Sequence, residues 1–136
     1  MNLAKILIVE DDQLLRDLYV EYLKSEGYIV DIAVDGEEGL LKIKGGGWDL
    51  VLLDIILPKL DGIDVMRQFK KLNRPVKKPI VLFLTNLDKD SEIKEALSLG
   101  DGYLIKSQLT PEDLLREIRS YLAKAEGTVS AQQSTG

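Results

Sequence analysis

The sequence predicts a doubly wound α/β fold: one parallel five-stranded sheet with five helices packed on its two faces. Three observations predict it. Short, unbroken apolar runs recur along the chain, amphipathic stretches at helical spacing separate them, and each run stops at polar or turn-forming residues. Strands that are apolar throughout are buried on both faces, which belongs to parallel sheets, and parallel strands need crossover connections that are usually helices.

The elements follow in order. Ile6-Leu7-Ile8-Val9 is the first buried run and ends at Glu10-Asp11-Asp12. Leu14, Leu15, Leu18, Tyr22 and Leu23 then recur at helical spacing up to Gly27. Residues Tyr28 to Val34 form a second strand, with Val30, Ile32 and Val34 on alternate positions. Gly36 to Lys44 is a short helix closed by Gly45-Gly46-Gly47. Leu50-Val51-Leu52-Leu53 is a third buried run that stops at Asp54; a loop with Pro58 leads to a helix from about Asp61 to Leu72. Ile80-Val81-Leu82-Phe83-Leu84 is the fourth run and ends at Thr85. Asp90 or Ser91 is placed to cap a helix reaching about Leu99. Tyr103-Leu104-Ile105 is a short fifth strand ending at Lys106. Thr110-Pro111-Glu112-Asp113 opens the last helix, with Thr at the cap, Pro at the first helical position and acids in the first turn. Its buried stripe is Leu114, Leu115, Ile118, Tyr121 and Leu122. Five β-α units of this kind fit the flavodoxin-like order 2-1-3-4-5. Residues 1–124 make one domain; residues 125–136 are small and polar, without apolar periodicity, and are expected to be a flexible tail or linker remnant.

Composition narrows the chemistry. With 136 residues, 45% of them hydrophobic and 30% charged, the chain can build one ordinary core without cross-links. It has neither cysteine nor histidine, so disulfides, thiolate metal sites and Ser-His or Cys-His dyads are excluded. Carboxylates, lysines, hydroxyls and backbone remain. The net charge of −5 argues against direct nucleic-acid binding, which calls for a basic face. No segment has the run of apolar residues needed to span a bilayer, and the first residues lead straight into a strand without a signal-peptide layout. The expected location is cytoplasmic.

In open α/β sheets the ligand site lies beyond the carboxyl ends of the strands, where the strand order reverses. For this order that point falls between strands one and three. Strand one ends in Glu10-Asp11-Asp12, strand three in Asp54, strand four in Thr85 and strand five in Lys106. Clustered carboxylates repel one another unless a cation sits among them. A hard divalent ion such as Mg²⁺, or Mn²⁺, suits oxygen ligands of this kind. Asp54, the central carboxylate, can act as a nucleophile toward phosphorus, as in aspartyl-phosphate chemistry. Lys106 would supply a point charge and Thr85 a hydroxyl to the phosphoryl oxygens.

Each residue taken alone has an ordinary explanation. Asp11 or Asp12 caps the first helix, Asp54 is a turn residue, and the Thr85 hydroxyl bonds backbone. Lys106 is a solvated lysine and Tyr103 a half-buried core aromatic. The conjunction carries the functional reading: four strands end, in chain order, in acids, Asp, Thr and Lys.

At this point the chain resembles the receiver domains of two-component response regulators. The matching segments are Lys5-Ile6-Leu7-Ile8-Val9-Glu10-Asp11-Asp12, Asp49-Leu50-Val51-Leu52-Leu53-Asp54-Ile55-Ile56-Leu57-Pro58 with Asp61-Gly62, the strand ending in Thr85, and Gly102-Tyr103-Leu104-Ile105-Lys106. The resemblance covers about residues 4 to 124. It implies that Asp54 is the phosphoacceptor, that Asp11 is a direct Mg²⁺ ligand with Glu10 as its acidic neighbour, and that Ile56 offers the metal its backbone carbonyl. It implies that Thr85 and Lys106 contact the phosphoryl group. Tyr103 would be the aromatic that moves inward when the Thr85 hydroxyl is drawn to the phosphate. The output surface would be the fourth helix, fifth strand and fifth helix.

Four departures from the family pattern stand out. Ser107 follows Lys106 where proline, often in a cis bond, is usual, so the loop must hold the lysine by other means or hold it less well. Gly100-Asp101-Gly102-Tyr103 is one residue shorter than the usual approach to the last strand. Asn86 follows Thr85 in place of a smaller residue. Ile56 and Leu87, each two positions after Asp54 and Thr85, are apolar; such positions tune hydrolysis of the acyl phosphate, and here they are expected to shield it.

The resemblance implies a phosphohistidine donor, on a sensor histidine kinase or a histidine phosphotransfer protein, because this chain has no histidine. It implies an output to a downstream protein or to an effector domain outside this sequence. The chain would act only on its own aspartate and is not expected to be an enzyme in the ordinary sense. A homodimer through the output face is a further expectation, with Lys94, Glu95, Asp101 and Arg116 as candidate pairing residues. The main alternative is a degenerate receiver that binds a partner without phosphorylation. A haloacid-dehalogenase-like phosphatase would need Asp-x-Asp at the end of strand one, which is missing. A nucleotide binder reading Gly45-Gly46-Gly47 as a phosphate loop fails because that stretch follows a helix and precedes a strand.

Overall fold

The structure is a computed structural model and describes residues 4–72, 77–86 and 90–126. Its elements alternate as β1 (Lys5–Val9), α1 (Gln13–Ser25), β2 (Ile29–Ala33), α2 (Gly36–Gly45), β3 (Leu50–Asp54), α3 (Gly62–Lys70), β4 (Ile80–Thr85), α4 (Asp90–Leu99), β5 (Gly102–Ile105) and α5 (Pro111–Glu126), with a 3-10 turn at Lys106–Gln108. The strands form a single sheet in the order β2-β1-β3-β4-β5, and every pairing is parallel. The expected doubly wound, flavodoxin-like topology is the observed one.

The apolar strands are continuous because each face of the sheet has its own core. Leu7, Val9, Val51, Leu53, Val81 and Phe83 face one way, against Leu40 and Ile43 of α2, Val65 and Met66 of α3 and Ala96 of α4. Ile6, Ile8, Leu50, Leu52, Leu82 and Leu84 face the other way, against Tyr19 and Leu23 of α1 and Leu114, Leu115, Ile118 and Leu122 of α5. A fully buried Leu or Ile side chain contributes about 1.5–3 kcal/mol. The central strands, apolar at every position, therefore specify sandwiching between helices.

The caps follow the sequence. Asp12, Asp35 and Asp61 sit at the N-caps of α1, α2 and α3, each accepting a hydrogen bond from an amide in the first turn. Thr110 and Asp113 form a reciprocal box at the start of α5: Thr110 Oγ1 accepts from the Asp113 amide at 3.0 Å, and Asp113 Oδ2 from the Thr110 amide at 3.1 Å. The triple glycine is a helix terminator, as read: Gly46 (φ 77°) caps α2 and donates its amide to the Ile43 carbonyl.

Two local expectations need correction, and one boundary shifts. The buried face of α1 is Arg16, Tyr19 and Leu23, while Leu14 and Leu18, assigned to the apolar stripe, are 84% and 47% exposed. Asp90 and Ser91, the alternative caps expected for α4, both lie inside the helix, which spans Asp90–Leu99. Helix α5 runs on through Ala125 to Glu126, past the expected start of the tail; residues 127–136 lie outside the described set. Among the described residues, no helix is long and apolar enough to cross a membrane.

Candidate functional site

All four strand ends that carry the predicted residues meet at one rim. In a parallel sheet every strand runs the same way, so the ends of β1, β3, β4 and β5 lie side by side. The register sets Val9 beside Leu53, Asp54 beside Leu84, and Thr85 beside Ile105. One further step along each strand brings Glu10, Asp54, Thr85 and Lys106 to neighbouring positions.

Glu10 is fully buried and Asp54 nearly so. Asp11 is exposed at the mouth of the site. These three residues each place a carboxylate oxygen within 4.8 Å of the others. The two acids that sequence alone leaves ambiguous are separated here. Asp12 is the helix cap, accepting from the Leu15 amide at 3.1 Å. Asp11 joins the acidic group.

Lys106 crosses the rim to answer that charge. Its ammonium donates to Asp54 Oδ2 at 2.9 Å and to Glu10 Oε1 at 3.1 Å, with only 16% of its side chain exposed. Burial alone would lower its pKa, but hydrogen bonds and charge from Asp54 and Glu10 outweigh burial and hold it above the ordinary lysine value. Burial pushes the Glu10 carboxyl up to about 7; the Asp12 amide and Lys106 pull against this, and the Asp54 charge adds to it. The other oxygen of Asp54, Oδ1, accepts from the Ile56 amide at 3.3 Å.

The supporting shell is specific. Gly62 opens α3 directly beneath the site: a Cβ there would stand 2.2 Å from the Asp54 carbonyl oxygen, so only glycine permits this approach. Thr85 is 1% exposed at the end of β4. Tyr103 is paired in register with Phe83 and half-buried against the same core face, and residues Phe83 and Thr85, two apart on β4, share that face. The shorter approach to β5 leaves this register intact. Asp101 ties the approach to β5 onto β4 by donating its amide to the Val81 carbonyl and accepting the Val81 amide on Oδ2, both at 2.8 Å.

Ile56 is 61% exposed at the rim, and Leu87 lies outside the described residues. Of the candidate pairing residues, Glu95 is engaged by Arg67, Arg116 by Asp113, and Asp101 by the backbone just described.

Two site residues were not anticipated. Arg16 is buried and donates to the Glu10 main-chain carbonyl at 2.9 Å, which fixes the acid-bearing end of β1. Tyr19, one turn on, is 1% exposed beside it on the buried face of α1. The signal in the sequence was their i, i+3 spacing with each other and with Leu23 at i+4 from Tyr19, but four leucines on the same helix masked it.

The fold and the rim define a class: a doubly wound α/β domain with three converging carboxylates at its switch point, crossed by a lysine. The response regulator receiver domain model matches residues 6–119, and the chain belongs to that family. It is 32% identical over 127 residues to the transcriptional regulatory protein ResD of Bacillus subtilis, covering 93% of this chain and 51% of the relative. It is 41% identical over 104 residues to the transcriptional regulatory protein YcbL of the same organism, covering 74% of this chain and 43% of that one. The chain thus spans about half the length of the curated relatives it matches. Among solved structures it is similar to a CheY-like receiver domain protein from Methanospirillum hungatei, with a TM-score of 0.79, 31% identity, and coverage of 99% of this chain and 100% of that one. It is also similar to the response regulator TrrA of Thermotoga maritima in complex with Mg²⁺ and BeF, with a TM-score of 0.73, 32% identity, and coverage of 88% and 99%.

Proposed function

We propose that this receiver domain takes a phosphoryl group onto Asp54 with the help of Mg²⁺. The observation that carries the reading is the lysine-bridged acidic group: Lys106 on Asp54 and Glu10, with Asp11 completing three converging carboxylates. An oxygen-only donor set of this kind fits a hard divalent cation. Glu10, Asp11 and Asp54 would hold it, together with the Ile56 backbone carbonyl. A bound cation would supply charge neutralisation for the incoming phosphoryl oxygens. TrrA, solved with Mg²⁺ and BeF, supports that choice of ion.

The remaining steps belong to the chain's own residues. An Asp54 oxygen forms the new bond to phosphorus while the bond from phosphorus to the donor breaks, and the leaving group takes its proton from solvent. Lys106 offsets the negative charge that gathers on the phosphoryl oxygens. The phosphoryl group carries roughly −1.5 to −2 charge where the free carboxylate carried one negative charge, and it brings new acceptor oxygens. The Thr85 hydroxyl is drawn to one of them. Tyr103, on the same face of the sheet, fills the space Thr85 leaves, and the surface of α4, β5 and α5 changes. The donor is a phosphohistidine on a sensor kinase or phosphotransfer protein, and the receiver acts on no substrate but its own aspartate. The signal is a population shift, limited by the difference in contacts between the two states.

The test is intact-mass analysis after incubation with Mg²⁺ and acetyl phosphate. Wild type is expected to gain one phosphoryl adduct, lost on adding EDTA and absent in Asp54→Ala. No adduct on wild type would favour the phosphorylation-independent binding module instead.

A further inference from the structure

The chain lacks the proline that usually follows the site lysine, and it carries Asn86 where a small residue usually follows the site threonine. The structure joins these two positions. The Ser107 amide donates to Asn86 Oδ1 at 2.8 Å, across 21 positions of sequence. Because the partner is a backbone N–H, the Asn86 side chain must present its oxygen there. Neither departure would make this bond alone: a proline at 107 has no N–H to give, and an alanine at 86 has no acceptor.

The bond sits where it matters to the chemistry. Asn86 directly follows Thr85, and Ser107 directly follows Lys106. Strands β4 and β5 pair up to Thr85 and Ile105, and the Asn86 side chain extends that ladder beyond the last strand residue. On its other side, Lys106 opens the 3-10 turn, its carbonyl accepting from the Leu109 amide at 3.3 Å. The main chain of Lys106 is thus held by β5 before it, by the turn after it, and by Asn86 across from it. There is no cis peptide bond among the described residues, so this loop is fixed without one. A lysine carries four rotatable side-chain bonds, and its ammonium here must span to both Asp54 and Glu10. Where its backbone stands decides whether the reach is met.

We propose that Asn86 is a positioning residue for the phosphoryl reaction: its side-chain oxygen clamps the Ser107 amide and so holds Lys106 on Asp54. This rests on the reading of Asp54 as the phosphoacceptor. The clamp also links the end of β4 to the lysine loop, so a displacement of Thr85 is felt at Lys106.

The test is a double-mutant cycle on the rate of adduct formation with acetyl phosphate and Mg²⁺, read by intact mass in wild type, Asn86→Ala, Ser107→Pro and the double variant. One side-chain-to-backbone hydrogen bond changes an equilibrium by roughly three- to tenfold. Asn86→Ala is expected to slow the reaction by about that factor, with its thermal midpoint lowered by no more than a few degrees, so that the protein stays folded at the assay temperature. In the Ser107→Pro background, where the donor is gone, the same substitution is expected to change nothing. An equal loss in both backgrounds, or no loss in the first, overturns the clamp. If wild type itself forms no adduct, the proposed function fails and the positioning role with it; if wild type reacts and the cycle shows no coupling, only the clamp fails.

Discussion

Ile56 is a single exposed apolar side chain beside the carboxylate proposed to take the phosphoryl group. Its amide is anchored to Asp54 Oδ1, so its backbone is fixed to the acceptor, while 61% of the residue is open to solvent. An apolar side chain so placed can cover an acyl phosphate but offers no hydrogen bond to the water that would attack it. Ile56→Asn is expected to shorten the lifetime of phosphorylated Asp54 several-fold. Loss of the adduct with time, by intact mass after removal of acetyl phosphate, measures it, and equal half-lives would sink the idea. At this scale the sequence was readable wherever residue type and position coincide. Asp54, Thr85 and Lys106 are each the polar residue that ends an apolar strand, and parallel topology does the rest. What it left open was which of two adjacent acids faces the site, because cap and ligand need the same carboxylate chemistry. Asp12 takes the cap and leaves Asp11 to the site. The Asn86–Ser107 bond was unreadable as well: the missing proline told of a missing restraint, but only the register of β4 on β5 brings the asparagine to the amide.

Elements hold the site from the opposite edge too. Asp49 stands just before β3, and its carboxylate accepts the Lys5 amide at 2.8 Å and the Lys77 ammonium at 2.7 Å. Its own amide donates to the Lys5 carbonyl, and its carbonyl accepts from Ile80. One residue thereby pins the starts of β1, β3 and β4. Burial opposes the charged form of Asp49, but Lys77 and the Lys5 amide outweigh it and hold the carboxyl below its usual range. A depressed folded-state pKa means stability that is present above the unfolded pKa and lost as pH falls through the folded one. Asp49→Asn is therefore expected to be less stable than wild type at neutral pH, with the difference closing as pH falls through that depressed value. Urea denaturation across the acid range checks it; a constant difference at every pH would show the carboxylate's charge to be irrelevant. Helix α1 shows why elements are harder to read than strands. Its leucines form a plausible stripe, yet the helix turns Leu14 and Leu18 outward and buries Arg16 and Tyr19. The Arg16 bond to the Glu10 carbonyl decides that rotation alongside burial of Leu23, and no hydrophobic count registers a buried arginine. The central strands β1, β3 and β4 carry no such ambiguity, since they are apolar on both faces.

For the whole molecule, the fold gathers negative charge at one end of the sheet and compensates it with a single ammonium. Two buried acids and one exposed acid converge there, and among the described residues Lys106 is the cation that pairs with Glu10 and Asp54. Three carboxylates against one ammonium leave an excess of like charge, which destabilises the metal-free fold. A cation bound there removes that repulsion and binds only the folded chain, since the ligands come from strands far apart in sequence. Its effect on stability follows linkage: about 2.7 kcal/mol when its free concentration is a hundred times its Kd. The thermal midpoint of wild type is therefore expected to climb as Mg²⁺ is titrated. Asp11→Asn makes the argument specific. Asp11 is exposed and caps no helix, so removing its charge should cost the core nothing. Without Mg²⁺ the variant is expected to melt at or slightly above wild type, because one repelling charge is gone. With Mg²⁺ it should lose most of the gain that wild type shows. Thermal melts of both proteins over a MgCl₂ series, with ionic strength held constant by NaCl, separate this from general screening. An equal Mg²⁺-dependent gain in the two proteins would place the cation away from the Glu10, Asp11 and Asp54 oxygens.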